Sequence, residues 1–264
     1  MKNILLAAVL LSSIFLPVSA TAATGDYLYN FNSAGVLREA GSSLESTSPY
    51  WWLNSGAYLV IQDGVGKTVQ GKLASADPFR VLYNRTNPLD TENGYYPQNL
   101  FRLVSKRTWS NAETSVTFKV NRHTMTDTPN RDGYSGVLLF ARYKDGNNLY
   151  YAGIRDDGLA VIKKKVGGTY TTLAGGQVFS GTYNRNTDSS LIPSNQWMRL
   201  ALETVDQADG SVKIVLKLDK ENDGTYQTVA TATDKSNPVK GVGSSGIRTD
   251  YLDAEFDNFR VSLR

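Results

Sequence analysis

The sequence predicts an all-β protein, a two-sheet antiparallel β-sandwich or jelly roll. Three observations carry this. Short runs rich in Val, Ile, Leu, Tyr, Phe and Thr alternate apolar with polar residues, as half-buried strands do. Turn residues separate these runs at short intervals. No long stretch beyond the start of the chain carries a helical period.

The runs are 57–61, 115–120, 136–143, 149–155, 159–166, 196–203, 211–218, 226–231 and 255–263. Asp145-Gly146, Asp157-Gly158, Asp209-Gly210 and Asp223-Gly224 lie between consecutive runs. Asp-Gly accepts the positive φ that tight hairpins need. Many strands without βαβ spacing argue for a sandwich rather than a parallel sheet. Three segments read as long polar loops able to wall a groove: Arg85 to Arg107, Thr124 to Tyr134 and Gly175 to Pro193.

The start of the chain is of another kind. Lys2 precedes an apolar run from Ile4 to Leu16, and small residues follow at Val18-Ser19-Ala20 and Ala20-Thr21-Ala22. This is the layout of a secretory signal peptide. The run is shorter than the roughly 20 residues that span a bilayer. Residues 1–22 are therefore expected to be removed, and 23–264 to form one β domain that acts outside the cytoplasm as a monomer, with neither membrane nor nucleic acid as partner.

Composition excludes several chemistries. The chain has no cysteine and one histidine, His123. Thiol nucleophiles, cysteine zinc sites and multi-histidine metal sites are ruled out. No cofactor is required. A structural Ca²⁺ is compatible with the composition, but Asp219-x-Glu221-x-Asp223-Gly224 lacks the acid at position 12, where Ala230 stands, and reads as a hairpin turn. The net charge of +3 is compatible with an anionic ligand. The 15 tyrosines and 4 tryptophans suit sugar rings and sandwich cores alike.

Strand alternation groups the polar residues. In 115–125, Val116, Phe118 and Val120 face the core, while Thr117, Lys119, Asn121 and His123 share the other face. A two-residue Asp157-Gly158 turn sets Tyr151 opposite Lys164 and Arg155 opposite Ala160, with Ile154 and Val161 pointing inward. A register one residue away replaces Lys164 by Lys163 or Lys165. His123, Asn121, Tyr151, Arg155 and a lysine are thus expected on one open face.

The stretch from Ser135 to Tyr151 resembles the central hairpin of concanavalin-A-like jelly rolls, and so does the end from Gly246 to Phe259. Asn121-Arg122-His123 and Tyr150-Tyr151-Ala152-Gly153-Ile154-Arg155 resemble the two strand motifs of jelly-roll alginate lyases. They differ where Asn121 replaces Gln, Tyr151 replaces Lys and Arg155 replaces Tyr, which points away from alginate. The chain from residue 23 onward is more similar to the ulvan lyases of polysaccharide lyase family 28. That likeness rests on 49–56, 64–68, Asn87-Pro88-Leu89-Asp90, Tyr96-Pro97-Gln98-Asn99 and 160–165.

This resemblance implies β-elimination on a uronate-containing anionic polysaccharide, ulvan foremost. Such a reaction needs the carboxylate neutralised, the adjacent proton removed and the leaving oxygen protonated. The roles implied are Lys164 or a neighbouring lysine as base, Tyr151 or Tyr251 as acid, and His123, Asn121 and Arg155 around the carboxylate. Arg142, Arg102, Gln98, Asn99, Tyr96, Lys163 and Arg248 follow as substrate binders. Two other functions compete. A glycoside hydrolase needs two facing carboxylates, for which Asp253, Glu255 and Asp257 are the candidates. A non-catalytic binding domain needs only aromatic platforms such as Trp51, Trp52, Tyr95 and Tyr96.

Overall fold

The computed structural model describes residues 23–264, so the expected signal peptide at 1–22 lies outside the described residues. In chain order the strands are β1 (Tyr27–Tyr29), β2 (Gly35–Arg38), β3 (Trp51–Ser55), β4 (Tyr58–Gln62) and β5 (Val65–Thr68). There follow β6 (Leu100–Trp109), β7 (Ala112–His123), β8 (Gly136–Asp145), β9 (Asn148–Arg155), β10 (Leu159–Val166) and β11 (Thr169–Gln177). The last are β12 (Trp197–Asp206), β13 (Val212–Asp219), β14 (Gln227–Asp234), β15 (Gly243–Asp250) and β16 (Leu252–Leu263).

They form two antiparallel sheets. The larger runs β14-β13-β12-β7-β16-β5-β4-β2, with β1 also paired to β16. The smaller, seven-stranded sheet runs β11-β10-β9-β8-β15-β6-β3. This is the jelly-roll sandwich the strand pattern predicts. Inward residues of both sheets make one core in which Phe118, Phe256, Phe259, Leu139, Ile154 and Ile247 are fully buried. Trp51 belongs to that core. Its ring meets Phe259 edge-on at 4.8 Å, so it is no sugar platform. Among the described residues no helix is long and apolar enough to cross a membrane.

The Asp-Gly turns fall where expected, joining β8 to β9, β9 to β10, β12 to β13 and β13 to β14. The calcium-like motif is the last of these. Asp219 accepts the backbone N–H groups of Asp223 (3.2 Å) and Gly224 (2.8 Å), which closes a turn.

The stretch from Arg85 to Arg107 is less of a loop than it reads. A helix α1 (Pro78–Thr86) ends inside it and the central strand β6 begins at Leu100. The helix starts because the Asp77 side chain accepts from Phe79 N at 2.8 Å and Pro78 has no N–H to satisfy. At nine residues it is too short for its period to show in sequence. Likewise Gly175 and Gln177, expected in a loop, close strand β11.

Candidate functional site

The open face of the seven-stranded sheet carries the groove. Cross-strand pairing aligns Val104, Gly246, Phe140, Tyr151 and Lys163 in one row. Arg102, Arg248, Leu138, Gly153 and Val161 form the next. Directly opposed residues share a face, so two guanidiniums stand side by side on β6 and β15. The floor beneath is apolar: Val104, Leu138, Phe140, Leu149, Tyr151 and Val161 pack together, with Trp52 and Tyr143 against them.

Two compartments share Arg102 and Arg248. One, of about 120 Å³, is lined by Asn54, Tyr143, Tyr151, Lys165 and Tyr170. The other, of about 180 Å³, is lined by Asp90, Asp132, Tyr134, Asp250 and Tyr251. Asp90 is the contribution of the 85–107 segment to this wall. It accepts from Tyr251 Oη (3.0 Å), Thr128 Oγ1 (2.8 Å) and Asn130 Nδ2 (2.8 Å). Tyr251 itself turns into the groove with φ of 59°.

The electrostatics separate the groups. Arg248 pairs with Asp250 at 2.8 Å and lies 5.6 Å from the Tyr151 ring. Arg102 forms no ion pair among the described residues, and desolvation, then the charge of Arg248, push its guanidinium down. Burial raises the Tyr151 phenol to about 12. Tyr170, edge-on to Tyr151 at 5.8 Å, goes the other way. Burial raises it, but a hydrogen bond with Lys165 and the charges of Arg248, Lys165 and Arg102 outweigh that, and its phenol titrates below the usual range. Lys163 is lowered by burial, then by Arg155 and Arg248. Arg155 and Lys163 lie under the Tyr134 ring, at 4.1 and 5.5 Å, and Arg155 is paired with Asp157.

Of the residues expected on this face, Tyr151, Arg155, Lys163, Arg102, Arg248 and Tyr251 are here. Lys164 is not. The strands pair Tyr151 with Lys163 and Tyr150 with Lys164, one residue off the expected register. The turn is wider than two residues because Asp156 is held from elsewhere: its N–H donates to Ser135 O (2.8 Å) and its carbonyl accepts from Leu191 N (2.7 Å). Lys164 therefore points between the sheets, where it meets Asp234 at 2.8 Å and the Ser236 carbonyl. By the same slip Val161 lies on the groove floor instead of the core.

His123 and Asn121 are also elsewhere, because β7 belongs to the nine-stranded sheet, whose outer side is opposite the groove. A β-bulge opposite Asp253 and Ala254 puts both Asn121 and Arg122 outward and sets His123 against Leu252. Its Nδ1 lies 3.5 Å from Asp156 Oδ1 inside the sandwich. Asn121 stays on the outer face of the larger sheet, donating to Gln70 (2.8 Å) and Glu255 (2.9 Å). Arg142 is buried and donates to Asp206, Val239 O and Asn111. Gln98 is buried on Gly71 O and Asp253, and Asn99 on Asp90 O. Tyr96 lies under Lys72 and Arg122, away from the groove. None of these six reaches the two compartments. Tyr170, Tyr143 and Tyr134 line the site without having been singled out, and Lys165, one of the two register alternatives to Lys164, lines it with them.

The His123–Asp156 pair has a thermodynamic consequence. Burial lowers His123 to about 4 and raises Asp156 to about 8. Between pH ~4 and ~6.5 the folded protein holds the Asp156 proton while the unfolded chain holds the histidine proton, and the two slopes oppose. From about 6.5 to about 8 only Asp156 differs, the folded state binds more protons, and stability falls as pH rises. The melting temperature of the wild type is expected to fall across this window and that of Asp156→Asn to stay level. Equal slopes would contradict the assignment.

No protein-family model matches the chain, and no curated protein sequence matches it. Among solved structures it is similar to the carbohydrate-binding module CBM66 from Bacillus subtilis: 17% identity, 62% of this chain, 81% of that one, TM-score 0.43. It is similar to a Bacillus licheniformis β-glucanase at 14% identity, 91% and 99% coverage, TM-score 0.47. The GH43 protein BlXynB of Bacillus licheniformis is 12% identical, with TM-score 0.49. This chain is covered to 90% and spans 39% of that one.

Proposed function

We propose that this is an exported protein, with 23–264 as one domain, that holds a uronate-containing acidic polysaccharide along the groove and cleaves it by β-elimination. The observation that supports this most is the adjacent Arg102 and Arg248, flanked by two tyrosines with oppositely shifted phenols. Groups whose environments push their pKa values apart are suited to acid and base roles.

The Arg102 guanidinium, which forms no ion pair among the described residues, neutralises the uronate carboxylate, with Arg248 beside it as a further donor, and this makes the proton on the neighbouring carbon acidic. Tyr170, as phenolate, removes that proton. The released electron pair forms a C–C double bond as the glycosidic C–O bond breaks, and the Tyr151 hydroxyl gives its proton to the departing oxygen. Lys163, opposite Tyr151, adds a cation for the polymer. Ulvan is the first candidate substrate on the strength of the family 28 resemblance.

Hydrolysis by two carboxylates is disfavoured. Asp250 and Asp157 are bound to Arg248 and Arg155, Asp90 accepts three side-chain donors, and Asp132 accepts from Tyr134 N. A second reading is binding without cleavage. The apolar floor and the half-exposed Tyr170, at 51%, offer stacking surfaces that need no chemistry.

The tyrosines discriminate. In a lyase the rate rises with pH as Tyr170 loses its proton, in a range below 10. Tyr170→Phe then lowers turnover by about 10²–10⁴-fold while the polymer is still retained. Wild-type turnover in that variant sinks the assignment of the base.

A further inference from the structure

The largest cavity described, about 720 Å³, is a trough on the outer face of the nine-stranded sheet, opposite the groove. Its cause is local. Small side chains occupy adjacent positions on two central strands: Ala201 pairs with Ser115, and Thr117 is the next outward residue on β7. On one side stand Arg199 and Tyr226. On the other the β16 bulge between Asp257 and Arg260, with Asn258 at φ 47°, turns Asn258 and Arg260 into the rim beside Leu28. Bulges re-aim side chains in this way.

The charges lining the trough are already matched. Arg260 meets Asp26 at 3.0 Å, Arg264 meets Glu113 at 2.8 Å, and Arg199 meets Asp219 at 3.9 Å. This contrasts with Arg102 in the groove. A paired guanidinium and carboxylate offer donors and acceptors side by side without net pull on an anion, which fits vicinal hydroxyls. Tyr226 is 36% exposed, and its hydroxyl reaches across the sheet to Ser115. An aromatic wall over a polar floor of this kind suits a sugar ring.

We infer that this trough is a second binding site, for a neutral, hydroxyl-rich polysaccharide chain, distinct from the acidic polymer of the groove. The protein then grips two chains on opposite faces, which raises the effective concentration of one beside the other.

Electrophoresis in native gels containing xylan or mixed-linkage β-glucan tests this, with ulvan gels as the comparison. Wild type is retarded in at least one neutral gel. Tyr226→Ala and Ser115→Gln, checked for unchanged melting, each weaken that retardation by about tenfold and leave the ulvan gel unaffected. Arg102→Met leaves the neutral gels unaffected. No retardation of wild type in either neutral gel, or retardation untouched by both trough variants, overturns the inference. A failure of ulvan binding alone bears on the groove only.

Discussion

Arg102→Met is expected to lower kcat/KM on an acidic polysaccharide by about 10²–10³-fold, the usual cost of losing one preorganised donor to developing negative charge. Its stability should barely move. Arg102 forms no ion pair among the described residues, so its removal orphans no carboxylate. The methionine keeps contact with the apolar floor. Arg248 is a poorer probe, because truncating it strands Asp250, its partner at 2.8 Å. A normal rate in Arg102→Met would mean that no carboxylate is neutralised on this floor. Steady-state kinetics together with a urea unfolding curve read both quantities.

Lys164→Met is expected to do the reverse. Lys164 is buried against Asp234, which also accepts from Tyr150 Oη at 2.7 Å. Tyr150 Oη in turn accepts from Val239 N at 2.9 Å. This network ties the 234–239 segment to the seven-stranded sheet. Removing the cation leaves a buried carboxylate uncompensated, at a cost of about 3–5 kcal/mol. Activity per folded molecule stays at the wild-type level, because Lys164 does not reach the groove. Lys163→Ala should cut activity with little change in stability. An unfolding midpoint for Lys164→Met equal to that of the wild type would contradict the buried pair.

These two lysines show what sequence reveals and what it hides. The sandwich is legible because alternation and Asp-Gly turns are local signals, and each marks a hairpin in the fold. Which residue of 163–165 faces outward depends on a register set by distant partners. Ser135 and Leu191 pull on Asp156 and widen the turn, and no local pattern reports that. His123 is absent from the open face because β7 pairs into the nine-stranded sheet, whose outer side is opposite the groove, and a bulge opposite Asp253 then turns it inward. Arg102 and Arg248 were visible as candidates, but their adjacency on β6 and β15 joins positions more than half the chain apart.

Tyr170 had a usable signal. Gly167-Gly168 is a two-residue turn that sets Tyr170 opposite Lys165, and Gly-Gly is a hairpin mark. The helix α1 left a fainter one, Asp77 followed by Pro78 at its start.

We propose that the groove carrying Arg102 and Arg248 cleaves a uronate polymer by elimination. Incubating the protein beginning at residue 23 with ulvan, alginate, glucuronan and pectin, while following ultraviolet absorbance, tests it most directly. Elimination leaves an unsaturated, absorbing end on each new chain. Absorbance is predicted to rise on at least one polymer, with ulvan foremost, and the rise to be lost in Tyr170→Phe. No rise on any of the four, or new reducing ends without absorbance, would contradict it.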